Sequence, residues 1–316
     1  MITAPAAPNQ QVAPRITMVD VEHVGRLQSI AACVIESEAG LAVIDPGPTS
    51  ALGTLREKLA LAGASLADVS AVVLTHIHLD HAGATGTIVK ENPRIRVSVH
   101  EQGAPHMIDP SRLLQSALRL YGAEMDRLWG EFLPVPAGNV QALAGGERIA
   151  LGSRSLDVAY TPGHASHHVS LMDAQSGIAF VGDTAGIRIG NVSCITAPTP
   201  PPDIDLEQWR ASLEKIRAWR PERLFLTHFG PADSLEWHLG TLEERLEEWS
   251  ALVRDSLASG DDDDTCAARF TEQVLAQISR QVSEADAQRF AQTGGLPSCW
   301  YGLARYWRKR SGAPGA

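Results

Sequence analysis

Along the chain, apolar residues fall first into short runs and only later into long helical repeats. Runs at 29–36 and 41–45, split by the turn-prone pair Ala39-Gly40, predict two strands. Asp45-Pro-Gly-Pro48 breaks this pattern, and positions 51–62 then carry the 3.6-residue period of an amphipathic helix. A strand over 72–74, a short helix over 83–90 and a strand over 95–99 continue the alternation of β and α. A second strand-rich half follows at 148–150, 155–161, 168–173 and 178–182. It closes with a helix over 206–219, capped by Asp205, and a strand over 223–226.

Two stretches interrupt the alternation. Between 105 and 135, Leu113, Leu114, Ala117, Leu118 and Tyr121 recur at helical spacing, followed by Met125, Leu128, Trp129 and Phe132. This predicts an inserted helical segment with an apolar face. Either that face packs into the core, or it is a lid that sets Tyr121, Met125 or Trp129 against a substrate. From about His238 the pattern is purely helical: 239–257, an exposed acidic linker over 261–264 that also offers a cap for the next helix, then 267–292. Gly294-Gly295 and Pro297 break it before a last helix that ends near Arg310. The expected organisation is a flexible arm over 1–14, an α/β domain over 15–237 and a helical extension over 238–316. In the extension, Trp300, Tyr301, Tyr306 and Trp307 serve either a homodimer interface or the core of one chain.

Composition narrows the class. With 316 residues, 44% hydrophobic and 20% charged, the chain reads as a soluble globular protein whose core needs no disulfide staples. Cys33, Cys194, Cys266 and Cys299 are far apart and form no CxxC pair, so reduced thiols are expected rather than a thiolate site. A net charge of −10 weighs against a nucleic-acid partner, and the basic run over 305–310 reads as a helix end. The first fourteen positions lack the pattern of a signal peptide, and no apolar run is long enough to span a bilayer. A cytoplasmic protein without a membrane partner is expected.

The chemistry lies in four loops. His76-Ile-His-Leu-Asp-His81 places four metal-type ligands in one run directly after a predicted buried strand. His164 ends Tyr160-Thr-Pro-Gly-His164, Asp183 ends Phe180-Val-Gly-Asp183, and His228 ends Leu224-Phe-Leu-Thr-His228. Each follows a predicted strand, where a rigid scaffold carries functional loops. Imidazole and carboxylate donors without thiolate suit zinc, manganese or iron.

Together these runs resemble the metallo-β-lactamase superfamily. The Thr-Pro-Gly-His and Val-Gly-Asp runs are similar to its glyoxalase II-like branch. The resemblance covers about 15–235 and implies an α/β fold, the four-layered αββα sandwich. It also implies two divalent metal ions, zinc first with manganese or iron as alternatives. His76, His78 and His164 would hold one ion, Asp80, His81 and His228 the other, and Asp183 would bridge them. The implied reaction is hydrolysis of a small or medium ester, thioester or lactone by a metal-bridging hydroxide, with Asp80 and Asp183 as catalytic groups. Asp45 resembles the residue that supports the HxH loop from behind, although a turn or helix-cap role explains it equally. His168 resembles a supporting histidine four positions beyond His164, and His167 stands where those relatives carry Gly. The alternative activity within this fold is a mononuclear-iron persulfide dioxygenase.

Overall fold

The computed structural model describes residues 9–188, 192, 194–293 and 295–312. Among the described residues, thirteen strands form two sheets. The first sheet runs β1 (Gln10–Ala13), β2 (Ile16–Asp20), β3 (Ala31–Ser37), β4 (Gly40–Ile44), β5 (Val69–Val73), β6 (Arg96–His100) and β7 (Val140–Leu143), in that order. The second contains β8 (Arg148–Leu151), β9 (Arg154–Tyr160), β10 (Val169–Asp173), β11 (Ile178–Phe180), β12 (Arg223–Leu226) and β13 (Gly230–Ala232). Its spatial order is β13-β12-β11-β10-β9-β8.

The chain divides into two compact units, 1–159 with 171–178 and 160–170 with 179–316. In the first unit, β1 to β4 pair antiparallel and β4 to β7 pair parallel. The change of direction follows from the connections. Tight turns join β1 to β2 and β3 to β4, and a longer connection without an α-helix joins β2 to β3, whereas α1 (Leu52–Leu61), α2 (Leu79–Ala82) and α3 (Thr85–Glu91) lie on the crossovers that parallel pairing requires. A buried apolar cluster including Val43, Leu55, Leu59, Val72, Leu74, Ile88 and Val97 fills this unit. Full burial of side chains this size is worth roughly 1.5–3 kcal/mol each before the entropy of ordering is charged against it.

Between β6 and β7 the chain forms α4 (Ala104–Ile108), α5 (Ser111–Tyr121) and α6 (Met125–Leu128). Leu113, Leu114, Met125 and Trp129 are half-buried against the apolar cluster, so part of this segment's apolar face is core. Two polar contacts tie its end to the start of the first crossover, where Ser50 donates its hydroxyl to Leu128 O (2.6 Å) and its N–H to Trp129 O (3.1 Å); a third ties it to the β2–β3 connection, where His23 Nε2 lies 2.6 Å from Leu128 O.

The second unit carries α7 (Leu206–Trp219), α8 (Leu235–Ser256), α9 (Asp263–Ser279), α10 (Glu284–Thr293) and α11 (Leu296–Ser311). Asp205 caps α7 through the Gln208 N–H at 2.9 Å. Helices α8, α9 and α11 pack on one another around Trp249, Phe270 and Trp300.

Several expectations need correction. Gln10–Ala13 of the expected arm is strand β1, because pairing with β2 uses backbone groups and does not need apolar side chains; positions 1–8 lie outside the described residues. The C-terminal helices share a compact unit with residues 179–237. Asp262 of the acidic run caps α9, as the sequence offered, but the run is more than a solvated linker: Asp263 pairs with Arg308 (2.5 Å) and Asp264 accepts from the Tyr301 hydroxyl. The aromatic residues of α11 are used within the chain. Trp300 is fully buried with its N–H on Ser256 Oγ (2.9 Å), Tyr306 donates to Glu207 (2.9 Å), and Trp307 donates to Ser250 O (3.1 Å). The expected break at Gly294 falls outside the described residues.

Candidate metal centre

In the first unit, β4 and β5 run parallel with Ile44 opposite Val73, so the residues just beyond both strands emerge side by side. Asp45 and Thr75 occupy those positions. Asp45 is fully buried and adopts a left-handed backbone at φ 47°, a strained region for a residue with a side chain. Its carboxylate is heavily used. Oδ1 accepts the Thr75 N–H (2.8 Å), and Oδ2 accepts both the Thr75 hydroxyl (2.7 Å) and His81 Nδ1–H (2.9 Å).

The histidine run follows at once. His76 lies in the loop, His78 takes the position just before α2, and Asp80 and His81 stand in its single turn. His76 Nδ1 is 3.1 Å from Thr75 Oγ1, and His76 Nε2 is 3.0 Å from His78 Nδ1. Donor atoms of His76 and His78, of His76 and His81, and of Asp80 and His81 lie within 4.8 Å of one another in pairs. His76 and His81 are buried, whereas the Asp80 side chain is 24% exposed. Four donors thus converge in one loop, and Asp45 fixes the tautomer of His81 so that its Nε2 carries the lone pair.

The second unit holds the other expected ligands. His164 lies beyond β9, Asp183 beyond β11 and His228 beyond β12, and the Val181 N–H bonds Phe225 O (3.0 Å), which draws the last two loops together. Asp183 presents Oδ2 to His164 Nε2 at 3.5 Å and Oδ1 to His228 Nε2 at 3.7 Å. One carboxylate thus faces two imidazoles with different oxygens. His164 Nδ1–H donates to Pro198 O (2.8 Å), which leaves Nε2 as its lone-pair nitrogen on the Asp183 side.

His168 holds Asp183 from behind. The Asp183 N–H donates to His168 Nε2 (3.3 Å), and His168 Nδ1 lies 3.0 Å from the hydroxyls of both Thr161 and Thr184. Trp209 of α7 ties the two loops: its N–H donates to Thr184 O (2.7 Å) and its ring meets His164 edge-on at 5.6 Å between centroids. Gly163 makes this approach possible. Its φ is 132°, and a Cβ there would stand 2.3 Å from Trp209 Cα.

The donors fit a borderline divalent cation. They are imidazoles and carboxylates, and no cysteine stands in the candidate groups among the described residues. All four cysteines are buried, and burial pushes the Cys33, Cys194 and Cys299 thiols above their ordinary range. In the first unit, Tyr121 borders the ligand run: it is 37% exposed, yet burial of its phenol raises the pKa above the ordinary tyrosine range, with the Asp80 carboxylate adding to the shift. The Tyr121 ring meets Trp129 edge-on at 5.1 Å, and Trp129 stacks on His23 at 5.3 Å.

Inspection of the sequence missed Thr75, Thr161, Thr184 and the Pro198 carbonyl. Thr75 was detectable in principle, as the hydroxyl residue directly before the first ligand. The others are brought in by pairing distant in the chain. No helix among the described residues is long and apolar enough to cross a membrane.

Comparison with known proteins accords with this geometry. Residues 26–228 match the family model of the metallo-beta-lactamase superfamily, a span that contains every ligand described above. A metallo-beta-lactamase fold-containing protein of Sulfurisphaera tokodaii is 28% identical over 162 residues, which are 50% of this chain and 60% of that protein. A hydroxyacylglutathione hydrolase of a Synechococcus species is 28% identical over 215 residues, covering 68% of this chain and 71% of the relative. Among solved structures, a metallo-beta-lactamase family protein of Thermus thermophilus superposes with a TM-score of 0.70 at 19% identity, covering 95% of both chains. That likeness shows the fold, two sheets with flanking helices and a helical C-terminal region, and the family match places the chain in the metallo-beta-lactamase superfamily.

Proposed function

We propose that the protein is a binuclear metal-dependent hydrolase acting on a small or medium ester, thioester or lactone. His76, His78 and His164 would hold one ion, Asp80, His81 and His228 the second, and Asp183 would bridge them. The observation that carries this reading is Asp183, with one oxygen toward His164 and the other toward His228. Support also comes from the family match across both groups of ligands and from the relative named a hydroxyacylglutathione hydrolase, which puts thioesters among the first substrates to try.

When bound, divalent ions of the zinc or manganese kind supply a water acidified toward neutrality and an electrophile for the substrate oxygen. The remaining work falls to the chain. Asp45 and His168 hold the ligands in position, and the Pro198 carbonyl sets the His164 tautomer. Asp80, the most exposed carboxylate of its group, is suited to orient the attacking water and carry its proton on Oδ2. Tyr121, Met125 and Trp129 would border the apolar part of the substrate.

Elemental analysis of protein purified without added metal tests this. About two zinc or manganese ions per chain are expected, with Asp183→Ala losing metal and activity together. One iron per chain, with oxygen consumed on a persulfide, would replace the hydrolase with the dioxygenase alternative.

A further inference from the structure

In the second unit, the stretch over 194–202 leads from the Asp183 loop to α7 and has no strand or helix of its own among the described residues. Within Thr196-Ala-Pro-Thr-Pro-Pro-Pro202, four of the seven residues are proline, which fixes φ and offers no N–H to a ladder. Thr196, Ala197, Pro198 and Thr199 are nevertheless buried, so the backbone groups of this strap must find partners around them.

Those partners are specific. Thr196 exchanges both backbone hydrogen bonds with Ile187 of the Asp183 loop, each at 2.9 Å. The Pro198 carbonyl accepts His164 Nδ1–H (2.8 Å). On either side of Pro198 the chain closes on Cys299 of α11. The Cys299 thiol donates to Ala197 O (3.8 Å) and accepts the Thr199 N–H (3.5 Å), and the Thr199 hydroxyl donates to Cys299 O (3.2 Å). One turn further along α11 stands Gly302, where a Cβ would lie 2.0 Å from Thr199 O and 2.8 Å from Pro200 C. Glycine lets helix and strap meet backbone to backbone there.

We infer that Cys299 and Gly302 are positioning residues for the candidate ligand His164, acting through the Pro198 carbonyl. This rests on the reading of His164 as a metal ligand. Which nitrogen of an imidazole carries the lone pair is decided by the hydrogen bond that the other makes. Pro198 O makes that choice for His164, and Pro198 itself has no N–H and belongs to no strand. Its place is therefore set by Ala197 and Thr199, both pinned to one thiol. A sulfhydryl is a weak donor and a weak acceptor, so the close approach at Gly302 supplies the stop that the thiol alone would not. Helix α11 holds no ligand, yet it governs which nitrogen His164 presents.

Two measurements on the full chain test this. Long-range proton–nitrogen correlation NMR of the metal-free protein reads the tautomer of each histidine. The wild type is expected to show His164 in the Nδ1–H form alone, and Cys299→Ala and Gly302→Ala to show both tautomers in exchange. Competition for zinc with a chromophoric chelator reads affinity, which both variants should lower about 10–100-fold, as when the partner behind a histidine ligand is removed. Cys299→Ser, whose hydroxyl both donates and accepts, should regain most of that loss. Cys299→Ala adds no atom and carries the test should Gly302→Ala not fold. Trp307→Phe is the control. It removes the α11 bond to Ser250 O and leaves the strap alone, so it should keep the wild-type tautomer and affinity whatever its urea midpoint.

Either a single His164 tautomer or wild-type zinc affinity, kept in both Cys299→Ala and Gly302→Ala, would overturn the inference. A loss of affinity in Trp307→Phe equal to theirs would do the same, since α11 would then act only through stability. His164→Ala separates this failure from a broader one. If it loses zinc while the α11 variants keep theirs, the inference alone falls. If it binds zinc as the wild type does, His164 is no ligand, and the inference falls together with the metal assignment on which it rests.

Discussion

Asp45 and His81 are 36 positions apart in sequence, yet Asp45 Oδ2 accepts from His81 Nδ1 at 2.9 Å while the same carboxylate holds the Thr75 backbone and hydroxyl. One buried, backbone-strained residue therefore orients a ligand and anchors the loop that carries the first two. Asp45→Asn keeps a side chain that tolerates the left-handed backbone but removes the charge. Metal affinity, measured by competition with a chromophoric chelator, is expected to fall about 10–100-fold. Wild-type affinity in this variant would reduce Asp45 to a turn residue.

His168 makes a different prediction, because it touches the backbone of Asp183 rather than a ligand nitrogen. His168→Leu leaves the Asp183 N–H without its acceptor and should cost about 1–3 kcal/mol of stability. The loss should persist in chelator-treated protein, where a purely metal-mediated effect would vanish. Equal denaturation midpoints for variant and wild type, both stripped of metal, would contradict it.

In the first unit, Arg154 and Asp173 form a buried ion pair, and Asp173 also accepts from the Ser176 hydroxyl (2.6 Å). Asp173→Ala strands a buried guanidinium, and a loss of roughly 3–5 kcal/mol is expected in urea unfolding. A change below about 1 kcal/mol would mean that the guanidinium escapes to water.

His238 sets a pH dependence. It is fully buried, donates Nε2–H to Ala185 O (2.9 Å), and burial lowers its pKa from 6.5 to about 4. Across that interval the unfolded chain binds a proton that the folded chain does not. The stabilisation is therefore complete above pH 6.5 and is lost as pH falls toward 4, by an amount on the order of 3 kcal/mol. His238→Gln retains an N–H donor and should flatten stability over this window. An unchanged slope would assign the acid sensitivity to other groups.

What could be read from the sequence was local. Four donors in six positions after an apolar strand cannot be explained by packing, and His164, Asp183 and His228 each end a strand-like run, so the ligands stood out without any tertiary information. Asp205 as a cap was equally visible, because capping is decided within three residues. The misreadings share a different character. Strand β1 depends on pairing with β2, and the roles of Asp263 and Asp264 depend on Arg308 and Tyr301, over forty and thirty-seven positions away. Thr161 and Thr184 look ordinary until both hydroxyls are found on one imidazole.

Trp209 touches the Gly163 backbone, the Thr184 carbonyl and the His164 ring at once. A helix register is thus the gauge for the separation of two ligands that lie nineteen positions apart in the chain. For anyone evolving this protein in the laboratory, heat tolerance and metal retention cease to be separate traits at this point. If His164 and Asp183 hold metal as proposed, a library filtered for survival on heating is filtered at the inner face of α7 for the spacing that keeps the ions as well.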